Sequence, residues 1–284
     1  MKKIVFVSDL FIDNYRGGAE LTTAAIMTAA PKNKFSLVKI HSQHVNGEVV
    51  DKFADAHWVI CNFSSLNDKA KIYLCKNADY SIIEYDYKIC HYRSLEKHKA
   101  ITGSECNCLQ EPGGKINQAF YGYAKKIWFM SEIQKSIFLS KLKVLKSERC
   151  EVLSSIFSPG DLRFMKSIKN NEKNDCYLIL GSNSWIKGTK DSIEFARQNN
   201  LNFEVVSGLD YHELLIKMST SKGLIFQPLG GDTCPRIVIE AKLLGCDLIL
   251  NENVQHKNED WFQTSESSFE YLNFRVNKFW EYYG

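Results

Sequence analysis

A chain of 284 residues is long enough for one large domain or two smaller ones, each with its own core. Hydrophobic residues make up 44% and charged residues 24%, which excludes a disordered chain, and a net charge of +3 gives no reason to expect a nucleic acid partner. No apolar stretch approaches the roughly 20 residues that cross a bilayer, which leaves only peripheral membrane contact. The short N-terminal apolar run is typical of a first strand rather than a signal peptide, so we expect a cytoplasmic protein.

Short apolar runs rich in β-branched and aromatic residues recur along the chain and predict strands. The predicted strands are residues 3–9, 35–42, 56–62, 80–86, 125–131, 176–182, 202–208, 222–228 and 247–253. Amphipathic segments such as 19–30, 189–200 and 211–220 lie between several of these runs and predict helices. Because strands that alternate with helices form parallel sheets, the sequence predicts an α/β protein.

The predicted strands fall into two groups, which residues 154–175 separate. The centre of this segment is rich in lysine and asparagine, as is typical of a link between domains or an edge insertion. We therefore expect two Rossmann-like, doubly wound domains facing across a cleft. The first covers residues 1–157 and the second covers residues 158–261. In such domains ligands bind where the carboxyl ends of strands enter loops.

The loop after the first strand contains Gly17 and Gly18, directly before a predicted helix. Glycines let a ligand approach the backbone closely, and the free N–H groups of a helix start favour an anion. The alternative is a simple glycine turn. The spacing is not G-x-G-x-x-G, so a dinucleotide fingerprint is not supported.

The loop after the strand at 176–182 leads to Lys187 and Gly188 at the start of the next helix. A lysine beside helix N–H groups can neutralise a diphosphate. The alternative is that Lys187 is one solvated surface lysine among many. Its place at a junction of strand and helix favours the binding interpretation.

The stretch QPLGGDTCPRIVIEAKLLGC, residues 227–246, joins a strand to a helix through two glycines and Asp232. Pro235 suits a first helical turn, and Gly245 ends the helix. The alternative interpretation is a helix whose N-terminal acid offsets the helix dipole. That alternative explains Asp232 but not the whole combination of glycines, proline, arginine and a second acid.

The same stretch can line a nucleotide-sugar site. The residues that we expect to line it are Gly231, Thr233, Cys234, Pro235, Arg236 and Glu240. Backbone N–H groups of the first helical turn would hold phosphate oxygens, with Arg236 as an added cation. Glu240 lies about one and a half turns into the helix, where its carboxylate could reach ribose hydroxyls.

These motifs resemble those of the GT-B-type retaining glycosyltransferases, in particular family 4 (group 1), whose signature is E-x7-E. The pattern stands here as Asp232-x7-Glu240, and EAKLLG resembles the family's E-A-x-A-x-G. Lys187-Gly188 and Gly17-Gly18 resemble two further motifs of that family and lie in the right order. The resemblance covers both halves of the chain and implies a GT-B fold.

The resemblance also implies roles for these residues. Glu240 would bind the nucleotide ribose, Lys187 the diphosphate, and Asp232 would face the donor sugar and the reacting centre as a catalytic residue. The C-terminal segment, at about 262–284, resembles the helix that returns to the first domain in such enzymes. The donor would be a nucleotide-diphosphate sugar, the acceptor a saccharide or a lipid-linked glycan, and catalysis would need no cofactor.

The sequence departs from the family in three ways. The first acid is Asp232 instead of glutamate, the chain is short, and the histidine that many relatives carry at the fourth strand is not evident. The corresponding segment offers Glu84, Asp86 and His91, among which we predict Asp86, at the end of a strand, as the second catalytic residue.

A cluster of soft metal ligands lies between residues 90 and 108. Cys90, His98, Cys106 and Cys108 would suit a tetrahedral, structural zinc site. The alternative is a set of buried thiols and a surface histidine. The nine cysteines of the chain, in the absence of a secretion signal, indicate free thiols or a metal site and not a disulfide framework.

The sequence thus predicts a retaining, metal-independent glycosyltransferase. Two alternatives stay open: a sugar-nucleotide epimerase of the GT-B type, and a binding or scaffold protein on a decayed transferase fold. The donor base, the sugar, the acceptor and the oligomeric state are not encoded in any motif that we can identify.

Overall fold

A computed structural model describes all residues, 1–284. The chain divides into two compact units. Unit 1 comprises Met1–Ile156 with Arg275–Gly284, and unit 2 comprises Phe157–Phe274. Each unit has its own sheet, and both sheets are entirely parallel.

Unit 1 is built on six strands. They are β1 (Lys2–Ser8), β2 (Phe35–His41), β3 (His57–Ile60), β4 (Asp79–Glu84), β5 (Lys126–Phe129) and β6 (Cys150–Val152). Its helices are α1 (Gly18–Thr28), α2 (Gly47–Lys52), α3 (Asp68–Asn77), α4 (Leu95–Thr102), α5 (Pro112–Tyr123) and α6 (Glu132–Lys141). The strand order is β2-β1-β3-β4-β5-β6. The connections reverse direction between β1 and β3, which makes this pair the switch point of the sheet.

Side chains from the central strands form the core of unit 1. In the registered pairs Val5 lies between Val38 and Trp58, and both Val5 and Trp58 are fully buried. Burying a side chain of this size stabilises the fold by roughly 1.5–3 kcal/mol. The continuous apolar runs that the sequence shows are therefore those of strands covered on both faces.

Unit 2 is smaller. Its strands are β7 (Tyr177–Leu180), β8 (Phe203–Val206), β9 (Gly223–Phe226) and β10 (Asp247–Leu250), in the order β10-β9-β7-β8. Its helices are α7 (Pro159–Ile168), α8 (Thr189–Gln198), α9 (Tyr211–Ser219), α10 (Arg236–Leu243) and α11 (Ser265–Tyr283), the last of which continues into unit 1. The switch point of this sheet lies between β7 and β9. None of the helices combines the length and apolar character that a membrane crossing requires.

Two elements of the fold were not predicted from the sequence. The polar segment 154–175 contains a helix, because Ser158 caps it, Pro159 occupies its first turn, and Leu162 and Met165 are buried. The edge strand β6 escaped prediction because three residues show no alternation that a pattern could detect.

The C-terminal helix α11 is shared between the units at a point that the sequence did not indicate. Ser265, in its first turn, donates a hydrogen bond to the carbonyl of Leu243 in unit 2 (3.3 Å). Trp280, near its end, donates to the carbonyl of Ile26 in unit 1 (2.9 Å) and packs on Phe35. Residues 262–274, which we expected to join the first domain, therefore belong to unit 2, and only the last ten belong to unit 1.

The segment that follows β10 packs behind the loop of Asp232. The backbone N–H of Asp232 donates to the carbonyl of Asn253, and the N–H of Gln255 donates to the carbonyl of Asp232. The next residue, His256, is fully buried against Trp261, and neither of its ring nitrogens has a hydrogen-bond partner. Burial lowers the pKa of His256 to about 3.

This buried imidazole predicts a loss of stability in acid. The unfolded chain protonates His256 near pH 6.5, whereas the folded chain keeps it neutral to about pH 3. The contribution of neutral His256 to the free energy of unfolding is therefore fully present above pH 6.5. It falls by about 1.4 kcal/mol for each pH unit below that. We expect His256→Leu to flatten the dependence of unfolding free energy on pH between 7 and 5, as measured by urea unfolding. The exposed His212→Leu is the control; parallel profiles for the wild type and both variants would contradict the assignment.

Candidate functional site

The switch point of unit 2 brings together two of the loops that the sequence singled out. The loop after β7 carries Lys187 and Gly188, and the loop after β9 carries Gly231 and Asp232. Because β7 and β9 are adjacent and parallel, both loops leave the same edge of the sheet. That edge is where doubly wound sheets bind ligands.

A close backbone contact fixes the two loops to each other. Gly188 has a left-handed backbone (φ +56°), and a Cβ at this position would lie 1.8 Å from the carbonyl oxygen of Gln227. The N–H of Leu229 donates to the carbonyl of Ile186 (3.1 Å), and the N–H of Gln227 donates to Ser192 Oγ (3.0 Å). Only glycine satisfies both the conformation and the contact.

Within this frame Lys187 and Asp232 form an ion pair. The distance from Lys187 Nζ to Asp232 Oδ2 is 2.7 Å, and the two side chains are 28% and 11% exposed. Asp232 is held in place by its backbone hydrogen bonds to the segment after β10. Lys187, which we predicted to bind a diphosphate, and Asp232, the predicted catalytic acid, thus lie side by side at the carboxyl edge of the sheet.

The N-terminus of α10 opens from the same loop. Pro235 is its N-cap residue and makes no side-chain cap hydrogen bond. Thr233 and Cys234, which the sequence placed in the donor site, are mostly buried, with 5% and 6% exposure. Both residues are thus largely covered, backbone and side chain alike.

Further along α10, Arg236 and Glu240 lie in a buried network with Tyr211. Tyr211 donates a hydrogen bond to Glu240 Oε1 (2.9 Å), Arg236 Nη2 donates to the Tyr211 hydroxyl (3.0 Å), and Arg236 Nε lies 3.4 Å from Glu240 Oε1. The guanidinium also stacks on Phe157, 3.8 Å from the ring centre. Burial raises the pKa of the Glu240 carboxyl, although the Arg236 charge and the Tyr211 hydrogen bond oppose that rise.

This network changes the interpretation of Arg236. We expected a cation for phosphate, but its side chain is turned to Glu240, Tyr211 and Phe157 and is only 6% exposed. The geometry favours a role in positioning Glu240. Glu240 itself is 2% exposed, so only a group that enters the interior of unit 2 can reach its carboxylate.

In unit 1 the corresponding switch-point edge carries Gly17 and Gly18. Gly17 is the residue before α1, where a Cβ would lie 2.5 Å from Glu20 Oε2. Glu20 is buried near Asn62, which follows β3, and burial raises the pKa of its carboxyl. Glu20 was not predicted from the sequence, where its only signal is a charged residue in the first turn of an otherwise uncharged helix.

Asp86 lies at the same edge of unit 1, after β4. Its carboxylate pairs with Lys88 (3.0 Å) and with Arg93. Burial alone would raise the pKa of Asp86, but these two positive charges hold it below its ordinary value, so the carboxylate is ionised at neutral pH. Of the two alternatives, Glu84 is fully buried in the core beside Lys88, and His91 is exposed.

The structure also brings together the predicted metal ligands of unit 1. The ligand atoms of Cys90, His98, Cys106 and Cys108 all lie within 4.8 Å of one another. His98 is buried, contrary to the surface position of the alternative interpretation. All nine cysteines of the chain are free.

The contacts of Tyr211 with Glu240 and Arg236 were also not predicted from the sequence. It is the first residue of α9, directly after Asp210, whose capping box with Glu213 marks the helix start. The box predicts the helix, but nothing local indicates that the Tyr211 hydroxyl meets α10.

Solved structures share this architecture. The Anabaena protein Alr3699/HepE in complex with UDP-glucose matches with a TM-score of 0.56 at 12% identity, over 99% of this chain and 98% of that chain. The UDP-GlcNAc 2-epimerase of Methanocaldococcus jannaschii in complex with UDP-GlcNAc and UDP matches with a TM-score of 0.51 at 12% identity, over 98% and 93%. AviGT4, a glycosyltransferase involved in avilamycin A biosynthesis, matches with a TM-score of 0.52 at 9% identity, over 99% and 93%.

No protein-family model and no curated protein matches the sequence. At these identities the structural matches establish the fold alone. The chain has the GT-B fold, with two Rossmann-like parallel-sheet domains, as the sequence predicted.

The contact at Gly188 generates a prediction about the frame of the site. Gly188→Ala should destabilise the protein by roughly 1–3 kcal/mol beyond the cost of a left-handed alanine, since the added Cβ meets a backbone carbonyl. Gly208→Ala is the matched control, because Gly208 has φ +73° and nothing within 4 Å of its Cβ position. Urea unfolding of both variants measures the difference. Equal losses would show that the loops do not approach as closely as described.

Proposed function

We propose that this protein is a retaining glycosyltransferase that takes a sugar from a nucleotide-diphosphate donor bound at the switch point of unit 2. The observation that carries the proposal is the Lys187–Asp232 pair beside the start of α10, whose N-cap residue is Pro235. A lysine and helix N–H groups together stabilise a diphosphate, both when bound and as a leaving group. The GT-B fold and the E-x7-E-like spacing support the same interpretation.

In this proposal a donor diphosphate takes over the Lys187 ammonium from Asp232. Lys187 then neutralises the phosphate charge, while Asp232 becomes available to the donor sugar. Because Lys187 and the helix start supply the positive potential, catalysis needs no divalent ion. The neighbouring structures with UDP-sugars make uridine diphosphate sugars the first donors to test.

Glu240 has the ribose as its proposed ligand. Both of its described contacts use Oε1, to Tyr211 and to Arg236. We propose that Oε2 accepts a hydrogen bond from a ribose hydroxyl, with Arg236 and Tyr211 fixing the carboxylate. In unit 1, we propose that the Asp86 carboxylate contacts the acceptor hydroxyl. Gly17 and Gly18 would let the donor approach the backbone closely.

A second function has support of comparable weight. The likeness to a UDP-GlcNAc 2-epimerase is nearly as high as the likeness to the glycosyltransferase AviGT4. An epimerase would use the same nucleotide site but would convert the sugar without any acceptor. The two functions therefore share the binding prediction and differ in the product.

The binding site is tested by Lys187→Met. We expect the affinity for UDP, GDP, ADP or CDP, whichever binds the wild type most tightly, to fall by roughly 10- to 100-fold, because one charged contact to phosphate is lost. The affinity for the parent nucleoside should change little. Isothermal titration calorimetry measures both, and the exposed Lys166→Met on α7 is the matched control. Unchanged diphosphate affinity in the Lys187 variant would refute the site.

Product analysis separates the two enzymes. The protein is incubated with its tightest-binding nucleotide sugar, without acceptor and then with a panel of saccharides, and the products are resolved by mass spectrometry and NMR. Release of nucleoside diphosphate with sugar transfer or slow hydrolysis is the expected result. An epimerised nucleotide sugar formed without acceptor would favour the epimerase, and absence of binding to every nucleotide sugar would favour a scaffold.

A further inference from the structure

The connection between β4 and α5 carries four side chains that suit a soft metal ion. Cys90 follows β4, His98 lies on α4, and Cys106 and Cys108 lie in the stretch that leads to α5. Residues that are far apart along this connection converge, since all four ligand atoms lie within 4.8 Å of one another. Four ligand atoms this close together suit the binding of a single metal ion.

Two of the distances between ligand atoms match those of a tetrahedral site. His98 Nδ1 lies 3.6 Å from Cys90 Sγ and 3.6 Å from Cys108 Sγ. A tetrahedral Zn²⁺ with bonds of about 2.3 Å to sulfur and about 2.0–2.1 Å to nitrogen would separate sulfur and nitrogen by about 3.6 Å. One shared ion would hold both sulfurs at this same distance from the nitrogen.

The site is closed, as structural zinc sites are. Cys90, His98 and Cys108 are 3%, 6% and 7% exposed, and Cys106 is partly exposed. Four protein ligands would complete a tetrahedral coordination sphere and leave no position for a substrate. The backbone N–H of His91 also points at Cys108 Sγ (3.5 Å), the kind of second contact that supports a thiolate ligand.

Two glycines allow the backbone of this connection to bring the four metal ligands together. Gly103 ends α4 with a left-handed backbone (φ +73°), which turns the chain back toward His98. Gly114 lets α5 approach the Cys108 turn, because a Cβ there would lie 1.9 Å from the Cys108 carbonyl oxygen. The ligand geometry is thus built into the backbone of the connection.

We propose that Cys90, His98, Cys106 and Cys108 bind one Zn²⁺ as a structural Cys₃His site. The thiols lose their protons on binding, and the ion closes the β4–α5 connection into one unit. The turn that it braces includes Arg93, whose N–H donates to the Cys90 carbonyl and whose guanidinium pairs with Asp86. The metal therefore holds the charged edge of unit 1 in place without contacting it.

The test is metal analysis of protein purified under reducing conditions without chelator. We expect about one zinc ion per chain, and we expect Co²⁺ to substitute with the visible d–d and thiolate charge-transfer bands of a tetrahedral site. Cys106→Ser and Cys108→Ser should each lose zinc to a substoichiometric level. Cys176→Ser is the matched control, since Cys176 is also partly exposed but lies in unit 2.

A measurement on the wild type alone guards against variants that fail to fold. Chelator treatment should lower the melting temperature and make three more thiols reactive, and added Zn²⁺ should reverse both changes. Protein that binds neither zinc nor cobalt while reduced would overturn the proposal, as would iron in place of zinc or a disulfide among these cysteines. No substrate enters these measurements, so their outcome is independent of the proposed function.

Discussion

The close approach of Gly188 to the carbonyl of Gln227 is the constraint on which the candidate site depends. It locks the loop after β7 to the loop after β9, so that a lysine from one loop and an acid from the other meet at 2.7 Å. A side chain at residue 188 would force the loops apart. Lys187 and Asp232 would then be two unrelated surface charges.

The ion pair also explains how the site can be stable without a ligand and still bind one. Two partly buried charges are costly to leave unpaired, and here each neutralises the other. In our proposal a diphosphate replaces Asp232 as the partner of Lys187, because it would bring more negative charge to the same ammonium and to the start of α10. The buried network of Tyr211, Arg236 and Glu240 places a second carboxylate further along the same helix.

Much of the fold could be predicted from the sequence, because buried parallel strands leave continuous apolar runs. All strands but β6 follow such runs. Lys187 and Asp232 could also be selected, since each lies where a predicted strand ends, and the spacing of the four proposed zinc ligands is visible in the sequence. These signals are local.

What escaped prediction depends on contacts between distant residues. Tyr211 reaches Glu240 across 29 positions, and this contact turns Arg236 inward, away from the phosphate role that its place in the helix suggested. Glu20, on α1, is buried beside Asn62 from the loop after β3. The division of α11 between the units follows from the partners of Ser265 and Trp280 and not from any break in its own pattern.

The central claim is that a nucleotide diphosphate binds at the switch point of unit 2. Hydrogen–deuterium exchange with and without saturating UDP, GDP, ADP and CDP, each in turn, tests it most directly, because it locates the contact in the wild-type chain. We predict that at least one of them protects the backbone of residues 182–190 and 229–240. Binding that protects other segments and leaves these two unchanged, or the absence of protection by any of the four, would contradict it.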